Sequence, residues 1–342
     1  MIDRVDALRA DIARGPAALA ELLDAYLTRS GPLEGLDRKV ARGHRVVFVG
    51  LGSSRFAALD AAHALRRAGA TAWAEYASAG IGPPSKDLLL VAVSASGRTP
   101  EVVDLARRHR GTSLVVGVTN EPGSPLAGES DVVLPLLAGR EASGISTLTY
   151  RATVVVLGLL AGRLGLGVAD AGDLREIVGR LDAVAGSEGD AVASAISAAA
   201  DLFDGADAID VIGPAASLGA ISQAALMLRE APRLPAYPYE TVDWLHTAVY
   251  RALPGHRALL FTGSPADAEV LDTIRRRGGE VVAIGSDLAG ATISVASPAV
   301  SVASPAISVA SPAIDPRLRN IVECSVVDRL ALDLWRRTAA LG

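Results

Sequence analysis

The sequence is nearly devoid of cysteine. Cys324 is the one cysteine in 342 residues, which excludes an internal disulfide and a cysteine-rich metal site and suits a reducing compartment. Histidine is scarce as well, and His44, His63, His109 and His256 show no mutual spacing of the kind that ligates a metal. A positive surplus is also missing. A net charge of −5 and a pI near 5.6 leave no basic face for nucleic acid or an anionic membrane. The local clusters Arg107-Arg108-His109-Arg110 and Arg275-Arg276-Arg277 read as solvated helix ends. Long apolar runs are absent too, since stretches such as Ala152–Leu160 are too short to span a bilayer and the charged amino terminus has no apolar core of signal-peptide length. The expectation is a soluble cytoplasmic protein that engages neither nucleic acid nor membrane.

What is present is apolar content sufficient for two ordinary cores. With 50% hydrophobic and 21% charged residues over this length, two domains are expected. The stretch that organises the first is Leu88–Glu101, in which the run Leu-Leu-Leu-Val-Ala-Val stops abruptly at Ser94-Ala95-Ser96-Gly97-Arg98-Thr99. An apolar run of this length suits a central parallel strand covered on both faces. Thr99-Pro100-Glu101 then opens a helix with a cap and a first-turn proline. Ser94, Ser96 and Thr99 offer hydroxyls, Gly97 allows close approach of the backbone, and the first turn of a helix has unpaired N–H groups and a positive dipole end, so an oxyanion such as phosphate fits there. The alternative is an ordinary Ser/Thr/Gly loop that only caps its helix.

Around this stretch the chain has a regular plan. Residues 1–36 show apolar positions at helical spacing (Val5, Leu8, Ile12, then Leu19, Leu22, Leu23, Tyr26, Leu27) and predict an arm of two helices. Residues 37–168 alternate strand and helix: Val46–Val49, Phe56–Ala68, Thr71–Tyr76, Leu88–Val93, a helix from Thr99, Ser113–Val118 and Val132–Leu136. That alternation means a parallel sheet with helices on both faces, an α/β doubly wound domain. Gly50-Leu51-Gly52-Ser53-Ser54 puts a second small-residue turn after a neighbouring strand, at the same carboxyl edge. Gly50-x-Gly52 followed by Glu75 also echoes a dinucleotide fingerprint, but Arg55 stands where the third glycine belongs, and no cofactor is expected. Gly139–Thr147 is a polar loop leading into a long apolar helix, which Ser146 or Thr147 would cap while facing the same pocket.

Residues 169–206 read as an alanine-rich helical connection, and from there the first half recurs over 207–342. Val49–Ala68 laid over Ile212–Ala231 pairs Gly50 with Gly213, Ala57 with Ala220 and Leu65-Arg66 with Leu228-Arg229. The copies differ where chemistry would matter: Thr262-Gly263-Ser264-Pro265 stands opposite the Ser94–Thr99 loop, and Glu230 opposite Arg67. Ile293–Ala313 writes a seven-residue unit, ISVASPA or VSVASPA, three times. Its prolines rule out a continuous helix and interrupt any central strand, so a surface extension is expected. An amphipathic helix carrying Trp335 closes the chain.

These motifs resemble the double-SIS (sugar isomerase) proteins, most closely the isomerase half of the glutamine–fructose-6-phosphate amidotransferase family. Gly52-Ser53-Ser54 matches the family's Gly-Thr-Ser, and Ser94–Thr99 its Ser-Gln-Ser-Gly-Glu-Thr. Asn120–Leu126 with Glu129-Ser130-Asp131, and Gly139–Thr147, match two further motifs in order. The resemblance implies two tandem flavodoxin-like three-layer domains and a site for a phosphorylated sugar or amino sugar made by Ser53, Ser54, Ser94, Ser96, Gly97, Thr99, Gly144 and Ser146. It implies Glu230, ending Leu228-Arg229-Glu230, as the base, and His246, sixteen positions on, as the ring-opening group. That histidine reaches a neighbouring subunit's site in the family, so a homodimer is implied. Glu230 could instead pair with Arg229 or Arg233, and His246 could be a packed core histidine. The sequence departs from the family at Ala95, where glutamine stands, and at His246-Thr247-Ala248, where His-Gly-Pro stands. The family's catalytic lysine has no counterpart, for the only lysines are Lys39 and Lys86. No glutaminase domain is expected, so glutamine is not expected as the nitrogen donor within this chain. The resulting expectation is an isomerase, deaminase or deglycase that works without Schiff base, metal or cofactor, or else a sugar-phosphate-binding regulator that does no chemistry.

Overall fold

A computed structural model describes residues 2–27, 31–37, 44–166, 171–186, 191–286, 288–296 and 316–340. In chain order the elements are α1 (Ile2–Tyr26), α2 (Glu34–Asp37), β1 (Arg45–Gly50), α3 (Ser53–Arg67), β2 (Ala72–Tyr76), β3 (Leu88–Val93), α4 (Pro100–His109), β4 (Leu114–Thr119), α5 (Pro125–Gly128), β5 (Val132–Pro135), α6 (Leu148–Ala161), α7 (Ala171–Gly186) and α8 (Ala191–Phe203). They continue with β6 (Ile209–Gly213), α9 (Leu218–Glu230), β7 (Ala236–Glu240), α10 (Thr241–Thr247), β8 (Arg257–Phe261), α11 (Asp267–Arg276), β9 (Glu280–Gly285), β10 (Ile293–Ala296) and α12 (Pro316–Ala340). The chain divides into two compact units, one of residues 17–141 and 146–175, the other of residues 1–16, 142–145 and 176–342.

The first unit is built on a parallel sheet in the order β2-β1-β3-β4-β5. All six residues of β3 are buried, as a strand flanked on both sides and covered on both faces requires. Val47, Val49, Leu88, Leu90, Val102 and Leu105 form the core of one face. Because β1 connects outward to β2 through α3, while β3 connects the other way to β4 through α4, the loops after β1 and β3 part company and leave a crevice at the carboxyl edge. In this order of strands, that is the place for a ligand.

The second unit repeats the plan, with its parallel sheet ordered β7-β6-β8-β9-β10. Strand for strand this is the first sheet's order. Ile212, Trp244, Leu260, Val270 and Ile274 form its core on one face, and α9 packs against α12. Both sheets are therefore doubly wound α/β.

Two sequence expectations change. The amino-terminal segment makes one long helix, α1, not a pair, and it runs straight through Pro16. A mid-helix proline costs about 3 kcal/mol, yet Val5, Leu8, Ile12, Leu19, Leu22 and Leu23 are all buried along this helix, and each buried aliphatic side chain contributes about 1.5–3 kcal/mol. Packing outweighs the break. The first ISVASPA copy also begins as a strand: Ile293–Ala296 is the edge strand β10, paired in parallel with β9 from Ile293 opposite Val282 to Ala296 opposite Gly285. An edge position tolerates the proline that follows. The other copies lie outside the described residues, as does Lys39.

Candidate functional site

The loop after β3 is held from inside. Ser94 donates its N–H to Val118 O at 3.0 Å, Gly97 donates to Ser94 O at 2.9 Å, and the carbonyl of Ala95 accepts from Asn120 N at 2.9 Å and Thr119 Oγ1 at 3.2 Å. Gly97 has φ +62°, and a Cβ there would lie 2.0 Å from Ser124 Oγ, so no other residue fits. With the carbonyls turned inward, the N–H groups of Ala95 and Ser96 find no acceptor among the described residues. Thr99 occupies the cap position of α4 but makes no side-chain cap bond, contrary to expectation. Its hydroxyl is 2.9 Å from Ser94 Oγ instead. Two hydroxyls are thus joined beside two open N–H groups at the positive end of α4.

Across the crevice, Gly52 turns the chain with φ +51° and Ser53 and Ser54 begin α3, half-buried and without a side-chain cap from Gly52. Arg55, where a dinucleotide fold would want glycine, lays its guanidinium 3.9 Å from the centre of the Tyr76 ring.

A cavity of about 640 Å³ opens beside the loop, lined by Ala95, Ser96, Asn120, Glu21, Glu121 and Glu141 among others. Asn120 shapes its rim: Nδ2 donates to Gly139 O at 2.7 Å and Oδ1 accepts from Ala138 N at 2.9 Å. Glu141 closes the amino terminus of α6, taking the N–H of Thr147 at 2.6 Å and of Thr149 at 3.1 Å on Oε1, and the Thr149 hydroxyl at 2.7 Å on Oε2. The cap expected of Ser146 or Thr147 is therefore supplied by Glu141, which lies six residues before Thr147, outside the positions where a local cap is sought. Ser146 Oγ is 2.8 Å from Thr149 Oγ1. Gly144, exposed with φ +73°, belongs to the segment 142–145 of the second unit, where Asp11 accepts the N–H groups of Ala142 and Ser143 at 3.1 and 2.8 Å.

The catalytic candidates stand in the second unit. His246 is exposed on α10 and lines a cavity of about 660 Å³ with Leu245, Tyr250, Glu269, Arg276 and Arg277. So two arginines read as a solvated helix end border a cavity. Glu230 is the exposed last residue of α9, at the amino edge of its sheet, whereas α10 follows the carboxyl edge. The structure leaves Glu230 and His246 at opposite ends of β7. His109, read as part of a solvated cluster, is buried with Nδ1 3.1 Å from Ser113 Oγ, and burial lowers its pKa. Among the described residues no group of three or more His, Cys, Asp or Glu side chains could hold a metal ion, and no helix is long and apolar enough to cross a membrane.

Two parallel five-stranded sheets with this strand order define the SIS-type doubly wound architecture, and residues 39–163 match the SIS domain family. The chain is homologous to the isomerase part of the glutamine–fructose-6-phosphate aminotransferases: it is 31% identical over 301 residues to the enzyme of Aeropyrum pernix, covering 81% of this chain and 47% of that protein. It thus spans about half the length of that relative. Two solved structures share the fold. Tagatose-6-phosphate ketose/aldose isomerase from Escherichia coli superposes with a TM-score of 0.77 at 19% identity, over 98% of this chain and 93% of that one. The C-terminal domain of glucosamine-fructose-6-phosphate aminotransferase from Francisella tularensis gives 0.75 at 17% identity, over 98% and 95%.

Proposed function

We propose that this chain binds a phosphorylated sugar at the Ser94–Thr99 loop and catalyses aldose–ketose isomerisation, or deamination or deglycation, of a ketose or amino-sugar 6-phosphate. The observation that carries the reading is the pair of open N–H groups on Ala95 and Ser96, set with the hydroxyls of Ser94, Ser96 and Thr99 beside a ligand-sized cavity. A phosphate dianion supplies several acceptors to match those donors, and α4 presents its positive end. The similar enzymes of Aeropyrum and Escherichia are both named for sugar 6-phosphates. Ser53, Ser54, Gly144 and Ser146 are assigned to the rest of the substrate, and the second sheet unit is read as a second SIS-type domain, in a cytoplasmic homodimer.

A 1,2-shift needs an acid to open the ring, a base beside C1 and C2, and a fixed phosphate to hold the open chain. His246 is assigned the ring opening and Glu230 the proton transfer, which moves the proton between C1 and C2 through an enediol or enolamine with no bond to a lysine. General base catalysis of this kind contributes a factor of about 10²–10⁴ in rate. A second reading, a sugar-phosphate-binding regulator without turnover, is favoured by the exposed place of Glu230 at the amino edge of its own sheet.

Binding is tested by titrating glucose against glucose 6-phosphate; equal affinity would remove the phosphate reading. Loss of either the Ser94 or the Thr99 hydroxyl is expected to cost about 1.5–3 kcal/mol in binding the phosphorylated sugar. Turnover is tested by NMR in deuterated water, following C1 and C2 protons across a panel of hexose and hexosamine phosphates with Glu230→Gln as control. Exchange in the wild type and none in the variant supports the enzyme; no exchange with any substrate supports the regulator.

A further inference from the structure

The loop after β8 is the second sheet's counterpart of the Ser94–Thr99 loop, and strand pairing fixes the correspondence. Ala92 lies opposite Val49, and Leu260 opposite Ile212, while the internal repeat sets Val49 over Ile212. Ser94 therefore answers to Thr262, Ala95 to Gly263, Ser96 to Ser264 and Thr99 to Asp267. The backbone agrees, for Thr262 donates its N–H to Ile284 O at 2.9 Å as Ser94 does to Val118 O at 3.0 Å.

The loops differ in what their N–H groups meet. Gly263 and Ser264 donate to Asp267 Oδ2 at 2.6 and 3.0 Å. Their counterparts Ala95 and Ser96 have no acceptor among the described residues. Asp267 Oδ2 thus occupies the position that an oxygen of a bound anion would take in the first loop. The carboxylate is only 6% exposed, and its other oxygen, Oδ1, is buried without a hydrogen-bond partner among the described residues. Asp267 opens α11, whose positive end favours a negative charge. Burial raises the Asp267 pKa, against the pull of the Gly263 and Ser264 N–H groups and of Arg319, which donates to the carbonyl and hydroxyl of Thr262 and pairs with Glu323.

We infer that the second loop is an anion site which the chain fills with its own Asp267 carboxylate, so that the protein takes one phosphate-bearing ligand per chain where its duplicated fold offers two places. A carboxylate tethered two bonds from the backbone of its own loop is present at an effective concentration that free phosphate does not match. Thr99 leaves the first loop open because a hydroxyl of its length turns to Ser94 and carries no charge. The inference rests on the reading of the first loop given above.

The test is calorimetric titration with inorganic phosphate and with fructose 6-phosphate. One site per chain is expected for the wild type, two for Asp267→Thr, and at least a tenfold loss of affinity for Thr99→Asp, which copies the plug into the first loop. A folded Asp267→Thr protein that still binds one phosphate overturns the inference. Should that variant fail to fold, Thr99→Asp decides: unchanged phosphate affinity overturns the plug, and lost affinity in a folded protein supports it. If the wild type binds no phosphate, the first-loop reading fails on its own, and Asp267→Thr then answers by gaining one site or none.

Discussion

Trp244 donates its indole Nε1 to Asp210 Oδ2 at 2.9 Å, joining α10 to a carboxylate wholly buried in β6. Arg251 Nε donates to Oδ1 of the same carboxylate at 3.1 Å, and His256 Nε2 lies 3.4 Å from Oδ2. The helix that carries His246 is thus anchored to the sheet through one charge. Trp244→Phe keeps the ring and removes the donor, and should cost about 1–3 kcal/mol of stability. Asp210→Ala, which leaves the buried Trp244 indole N–H without its acceptor, should also cost about 1–3 kcal/mol. Urea unfolding followed by circular dichroism measures both; equal and negligible losses would show that the cluster does not hold the helix.

Gly97→Ala tests the loop without removing a hydroxyl. Its positive φ costs a side chain about 1–2 kcal/mol, and the new methyl would press on Ser124 Oγ at 2.0 Å. The variant should remain folded and lose phosphorylated-sugar binding at least tenfold, read by titration beside the wild type. Wild-type affinity would show that the ligand sits elsewhere.

Glu141→Ala removes the cap of α6. Two backbone N–H groups, of Thr147 and Thr149, lose their acceptor, and a missing amino-terminal cap costs about 0.5–2 kcal/mol. A lowered melting temperature is expected, with Glu141→Gln between the two because its amide oxygen still accepts.

Glu323 gives stability a pH dependence of known sign. Burial pushes its carboxyl up from 4.5 to about 7, while the neighbouring Arg319 pulls in the other direction and does not prevail. Below 4.5 the group is protonated in both folded and unfolded chains and its full contribution is present. As pH rises from 4.5 towards 7 the unfolded chain releases the proton and the folded one keeps it, so stability falls until the folded carboxyl itself ionises. Glu323→Gln should therefore gain on the wild type between pH 5 and 7 and level off above, in urea titrations at stepped pH. A difference that stays constant with pH would mean that Glu323 ionises alike in both states.

Much of this protein was legible in one dimension. The run Leu88–Val93 ended where β3 ends, since six consecutive apolar residues bounded by Ser94 suit only a strand covered on both faces. The duplication of Val49–Ala68 in Ile212–Ala231 foretold two sheets of one strand order. Local chemistry also placed Thr99 at the start of α4. Those features are set by residues within a few positions of one another, where periodicity and turn chemistry speak directly.

Tertiary structure decided what reaches across. Thr99 was expected to cap α4, but the fold sets Ser94 Oγ 2.9 Å away and the hydroxyl turns to it. Two helices were expected over residues 1–36, and burial of the apolar stripe on both sides of Pro16 joins them in one, α1. Glu141 and Asp267 escaped notice because a carboxylate in a sequence shows nothing of which N–H groups it will face; only the closed loops bring Thr147 N within 2.6 Å of the one and Gly263 N within 2.6 Å of the other. Sequence by itself determined where the strands and turns of the first sheet lie, because those follow from local periodicity and backbone freedom. Which loop stays open to an anion and which is closed by a carboxylate was settled by the folded chain, because a hydrogen bond depends on distances that exist only once the sheet has formed.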